Sequence, residues 1–266
     1  MLEHSHFSEI SSRGYTVIRN SIDKNEVNEW KNLWKDIEKQ TLLHTFGIKK
    51  ASGGIMADVL KDEDDKAYVW KTQNVLKSLD KGKILIKKLE DEFKTIHPNI
   101  RFLKDRFMNQ RTNYQGHLPH QDLGAGSHGI ISNEWYTVYT SLSDTDENSG
   151  CLWVEDIQPK RTENLKFCDS GCANGKTCLC TTGKVMPFDI KMYQGHKMIP
   201  IDLKEGDTVV FDGWVLHGTA ANLSENTRQT LMFTFGKLRD EDLDIPDVYA
   251  HYNSKLISKF QSITID

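Results

Sequence analysis

The chain has 266 residues, of which 38% are hydrophobic and 27% charged, with a formal net charge of −4. That length suits one large β-rich domain with helical additions, and it buries a core without disulfide staples. The charge excludes the basic footprint of a nucleic-acid binder and a polybasic membrane anchor. The opening MLEHSHFSEISSRG lacks a basic segment followed by an apolar one, and no apolar run is long enough to span a bilayer. A cytoplasmic protein is expected, with no membrane or nucleic-acid partner.

The first third is mixed. Tyr15 to Arg19, after Gly14, is a short β-branched and aromatic run and predicts a strand. Asp23 followed by Glu26 has capping-box spacing. Val27, Trp30, Trp34 and Ile37 then recur on one helical face. A Gly-, Lys- and Asp-rich segment, Gly47 to Asp65, predicts a mobile loop. A second helix is expected from Thr72 to Phe93, broken near Gly82, with Leu76, Leu79, Leu85 and Leu89 buried.

After Pro98 short alternating runs take over: Phe102 to Arg111, Trp135 to Leu142, Cys151 to Val154, Lys197 to Ile201, Thr208 to Phe211 and Gln229 to Phe235. Strands at this spacing predict a sandwich or barrel. The chain is therefore expected to be a single domain, 1–266, with 1–98 as mixed support, 99–240 as the β core and a Cys-rich insertion at 160–195.

His120-Gln121-Asp122 is an H-x-D pair. In an extended segment residues i and i+2 point to one side, so an imidazole and a carboxylate reach a single ion. Alone such a pair is weak, since ten histidines and many acids make it common by chance. His217, just after the Thr208–Phe211 strand, is the best third ligand. Two histidines and one carboxylate form the facial triad of iron(II) oxygenases, which leaves coordination positions open. Arg228 follows His217 by eleven residues and opens the next strand. Its fork matches the distal carboxylate of a dicarboxylate, although a surface salt bridge is the commoner fate of a lone arginine.

These residues, with Gly218, Thr219, Asn222 and Ser224, resemble the phytanoyl-CoA dioxygenase family. The Ser141–Leu152 stretch is similar to that family's segment between two jelly-roll strands, and Gly14–Arg19 followed by a helix also fits. The resemblance implies a mainly β fold with flanking helices, a double-stranded β-helix (jelly roll, cupin-like). It implies Fe(II), 2-oxoglutarate and O2 as cofactors, and hydroxylation of a small molecule with release of succinate and CO2. It places Arg228 on the far carboxylate of 2-oxoglutarate, helped by Thr219, Gln110 or a hydroxyl on Thr137 or Tyr139. Halogenating relatives lack the carboxylate ligand; Asp122 is present, which favours hydroxylation. One departure is that Val154 leads into Glu155-Asp156-Ile157-Gln158-Pro159-Lys160, where relatives carry a Gly-Ser-His tripeptide. Known family substrates are therefore not carried over.

Other residues near the motif have competing readings. Gln110 and Asn113 precede the H-x-D, and alternation turns half of that strand inward; a solvated face is the alternative. His117 and His128 are substrate contacts or loop histidines. Trp214 is a substrate wall or core packing. Cys168, Cys172, Cys178 and Cys180 form C-x3-C-x5-C-x-C, which fits a structural zinc site, disulfides or free thiols. Cys151 stands apart as a small buried hydrophobe. Two further function classes remain open: a divalent-metal hydrolase on the same ligands, and a non-catalytic jelly-roll protein.

Overall fold

The computed structural model describes residues 2–44, 56–61, 64–114, 116–123, 134–156, 190–193, 195–246 and 248. The four clustered cysteines, His128 and most of the 160–195 insertion lie outside the described residues.

Gly14, at φ 88°, ends a first helix (α1, His4–Arg13) and turns the chain into β1 (Tyr15–Ile18). Asp23 Oδ1 accepts the Glu26 N–H at 2.9 Å and starts α2 (Lys24–His44). Val27, Trp30 and Trp34 are buried along it and Ile37 is partly buried, as the spacing predicts.

The next segment departs from expectation. Part of the predicted loop forms β2 (Met56–Lys61), and Thr72 and Gln73, the start of the predicted second helix, are the end of β3 (Ala67–Gln73). The real helix, α3 (Asp80–Lys94), begins only after a single 3-10 turn at Leu76–Ser78. Gly82 does not break it. A Cβ there would lie 2.0 Å from the Leu76 carbonyl oxygen, so glycine lets the 3-10 turn abut the helix. Leu76 and Leu89 are buried, and Leu79 and Leu85 partly so.

Among the described residues nine strands follow: β4 (Ile100–Gln110), β5 (His117–His120), β6 (Trp135–Ser141), β7 (Leu152–Glu155), β8 (Met192–Tyr193), β9 (His196–Ile201), β10 (Thr208–Asp212), β11 (His217–Thr219) and β12 (Arg228–Lys237). They complete two antiparallel sheets, ordered β1-β10-β6-β12-β4-β3-β2 and β5-β11-β7-β9-β8. Three strands of the large sheet come from the first 98 residues, so that part of the chain is woven into the jelly roll rather than only propping it.

Alternation splits the large sheet into two faces. Val138, Leu231, Phe233 and Phe235 pack outward against Trp30, Trp34, Leu89 and Phe93 of the helices. Tyr139, Val209 and Phe211 pack inward against Leu152, Val154 and Ile201 of the small sheet. Between the sheets, at the end where β5 and β11 meet, lie the chemically interesting residues. Phe233→Ala should leave a cavity under the helices and cost about 3–5 kcal/mol, seen as a lower urea midpoint with unchanged slope.

Candidate metal and co-substrate site

His120 and His217 are direct register partners across β5 and β11. Directly opposed residues of an antiparallel pair share a face, so both imidazoles project together, with ring centroids 4.4 Å apart. Asp122 lies just beyond the end of β5. One ligand atom from each of His120, Asp122 and His217 falls within 4.8 Å of the others.

Each ring is oriented in the same way. His120 Nδ1 lies 2.8 Å from the Leu118 carbonyl, and His217 Nδ1 lies 3.0 Å from that of Val215. A carbonyl only accepts, so Nδ1 carries the proton and Nε2 keeps its lone pair for a metal. Burial holds the His217 pKa down to about 4, with the neighbouring His120 adding to this, so the ring is neutral near pH 7. Burial pushes the Asp122 carboxyl up, but the adjacent His120 and His217 rings and the Lys104 ammonium outweigh it. Asp122 is therefore ionised well below the usual carboxylate range. Its Oδ2 also accepts a hydrogen bond from Thr137 Oγ1 at 3.0 Å.

Local ties hold this geometry. Gln121, between the two ligands, donates through Nε2 to the Trp214 carbonyl at 2.8 Å. Leu123 N donates to the Gly213 carbonyl at 3.0 Å. A Cβ on Gly218 would lie 2.9 Å from the His117 carbonyl oxygen, so only glycine lets β5 approach β11 this closely.

Arg228 and Gln110 are also register partners, on β12 and β4. Arg228 is 1% exposed. Its Nε donates to Gln110 Oε1 at 2.6 Å, and Nη2 donates to the same oxygen. Among the described residues, Arg228 Nη1 is buried with no hydrogen-bond partner. A buried donor left unpaired costs about 1–3 kcal/mol, and a carboxylate supplies the acceptor it lacks. Asn222 steadies the pair: its Nδ2 donates to the Gln110 carbonyl at 3.0 Å, and its Oδ1 accepts from Ser224.

The sequence profile of the phytanoyl-CoA dioxygenase (PhyH) family matches residues 10–230. The chain belongs to this family. It is thus an iron- and 2-oxoglutarate-dependent oxygenase by class. No curated protein matches it in sequence. Solved structures share its fold. EvdMO1 superposes with TM-score 0.60 at 12% identity over 87% of this chain, which spans only 49% of EvdMO1. AviO1 from Streptomyces viridochromogenes Tue57 gives 0.59 at 14% identity, covering 89% of this chain and 96% of AviO1. The epimerase SnoN, solved with Fe3+, alpha-ketoglutarate and nogalamycin RO, gives 0.57 at 13% identity, covering 92% and 88%. These likenesses establish the jelly roll.

The remaining candidates of this family member divide. Thr137, expected beside 2-oxoglutarate, donates to Asp122. Thr219 Oγ1 accepts the His117 N–H at 3.0 Å. Tyr139 Oη accepts from Thr230 Oγ1 at 3.2 Å between the sheets. His117 lies 6.0 Å from the Trp70 ring and 5.7 Å from that of Tyr114, beside the triad. Asn113 lies past the end of β4, exposed in a turn at φ 61°, where strand alternation no longer governs direction. Trp214 packs with Leu103, Leu123 and Trp135 in a core cluster, the competing reading of that residue. Sequence reading missed Trp70, which falls between the predicted loop and the predicted helix and was assigned to neither. It also missed Lys104 and Arg106, which the alternation of β4 turns inward.

Thr137→Val should leave the fold intact and weaken iron binding by about 10–100-fold, measured by anaerobic iron titration.

Proposed function

We propose that the chain is an Fe(II)- and 2-oxoglutarate-dependent hydroxylase of a small molecule. His120, Asp122 and His217 would hold the iron, and Arg228 with Gln110 would hold the far carboxylate of 2-oxoglutarate. One observation carries this reading: a convergent His/Asp/His set shares the inter-sheet space with a buried arginine that has an unpaired donor.

When bound, iron with 2-oxoglutarate and O2 supplies an oxidant strong enough for an unactivated C–H bond, with succinate and CO2 as co-products. The chain's own share is positional. The Nδ1–carbonyl bonds fix both rings before any ligand arrives. Thr137 fixes the carboxylate of Asp122. Gln110 holds two nitrogens of the Arg228 fork and leaves the third for an incoming carboxylate. The aromatic group of Trp70, Tyr114 and His117 would supply an apolar wall on one side. The presence of Asp122 favours hydroxylation over halogenation. A hydrolase on the same ligands would leave the Arg228–Gln110 pair without a role.

No helix among the described residues is long and apolar enough to cross a membrane. Small-molecule substrate, O2 and a cytoplasmic setting are parts of the proposal.

The test is succinate formation from 2-oxoglutarate by anaerobically iron-loaded protein exposed to O2, including the slow turnover without substrate. Arg228→Gln should raise the KM for 2-oxoglutarate by at least about tenfold, and His217→Ala should abolish succinate formation. Equal turnover with zinc in place of iron, or without 2-oxoglutarate, would refute the reading.

A further inference from the structure

The wall of the large sheet facing the triad is strongly basic. Along β4, Phe107 packs on the helix side. Alternation therefore points Lys104, Arg106, Met108 and Gln110 between the sheets. Arg106 stands opposite Met232 of β12 on one side and Gln73 of β3 on the other. Lys104 stands opposite Thr234, which is itself opposite Thr137, the residue that holds Asp122. Lys71 stands opposite Met108.

A β-bulge builds the neighbouring wall. Lys71 pairs with Asp58 and Val69 with Val59, so Trp70 is an extra residue in β3. Its ring stacks on Tyr114 at 5.2 Å, and Lys71 Nζ lies 4.5 Å over it. An aromatic face thus adjoins the cations.

The charges are unequally compensated. Lys71 is paired with Asp58 at 2.8 Å. Arg106 has a neutral partner: its Nε donates to Gln73 Oε1 at 3.3 Å, and among the described residues no carboxylate forms an ion pair with it. It is half-buried, so its charge is partly desolvated yet reachable. Its inward position on β4, between Lys104 and Gln110, places it in the same inter-sheet space as the triad. It is not part of the co-substrate pair. Arg106 lies four residues before Gln110 on one strand, about 13 Å away at 3.3 Å per residue, whereas Gln110 is the direct register partner of Arg228.

We infer that Arg106 is the substrate anchor, and that the substrate is a small organic anion, a carboxylate or phosphate, whose apolar body lies against Trp70 and Tyr114. This rests on the oxygenase reading. The guanidinium fork matches either anion in a bidentate way. Bound iron, 2-oxoglutarate, Asp122 and Arg228 balance one another in formal charge, so the anion answers the charge of Arg106.

The experiment uses the full chain loaded anaerobically with iron and 2-oxoglutarate, whose visible charge-transfer band reports co-substrate binding. Absence of that band in the unaltered protein overturns the oxygenase reading itself. With the band present, benzoate, phenyl phosphate and benzamide are titrated by calorimetry. At least one anion should bind about tenfold or more tightly than benzamide, and the pair separates carboxylate from phosphate. Arg106→Gln should erase that preference, Arg106→Lys should keep much of it, and both should leave 2-oxoglutarate affinity unchanged. The anchor is overturned if benzamide binds as tightly as both anions. It is also overturned if the preference survives Arg106→Gln, or if 2-oxoglutarate affinity falls in step with it.

Discussion

The pairing of β5 with β11 is the constraint on which the site depends. His120 faces His217 only in one register, and a slip of one residue would turn one ring to the far side of the sheet. The chain locks that register with contacts on both sides of the pair. His117 N bonds to Thr219 Oγ1 at one end, and Gln121 and Leu123 bond to the Gly213–Trp214 turn at the other. Asp122 is held differently. It lies beyond the strand, and its anchor, Thr137, belongs to the opposite sheet. Two ligands thus come from one layer while the third is braced by the other. A metal that binds this set also ties the two sheets together, so ligand binding and fold stability are linked.

How much of this was legible in the sequence follows from the physics of each signal. The triad and Arg228 announce themselves because the chemistry dictates residue type and spacing along strands. Trp34 and its helical neighbours were legible because a 3.6-residue period survives any tertiary context. The β2–β3 hairpin was not. Leu76, Leu79, Leu85 and Leu89 fit a helical period, and that period ran backwards across Thr72 and Gln73, which are strand. The bulge at Trp70 further breaks the alternation that would have marked β3. The resemblance offered the Thr137 hydroxyl to 2-oxoglutarate, but which oxygen it serves depends on the distance between two sheets. That distance is a tertiary quantity, absent from any local pattern.

Electrostatics explain why the interior tolerates so many polar groups. Lys104 is enclosed, and burial pushes its pKa down to about 7, with Arg106 adding to the effect and Asp122 opposing it. Arg228 keeps its charge on a neutral glutamine, with one donor unserved. A core optimised for stability alone would not hold such groups. Their cost makes sense when the cavity is read as half of a complex. Preorganised donors and cations spend folding stability in advance, and an anionic ligand then binds without having to rearrange the protein. The placement of charge, more than the shape of the fold, is what distinguishes this chain's cavity. The jelly roll supplies two facing sheets, and the inward positions of β3, β4 and β12 decide which ions those sheets will accept.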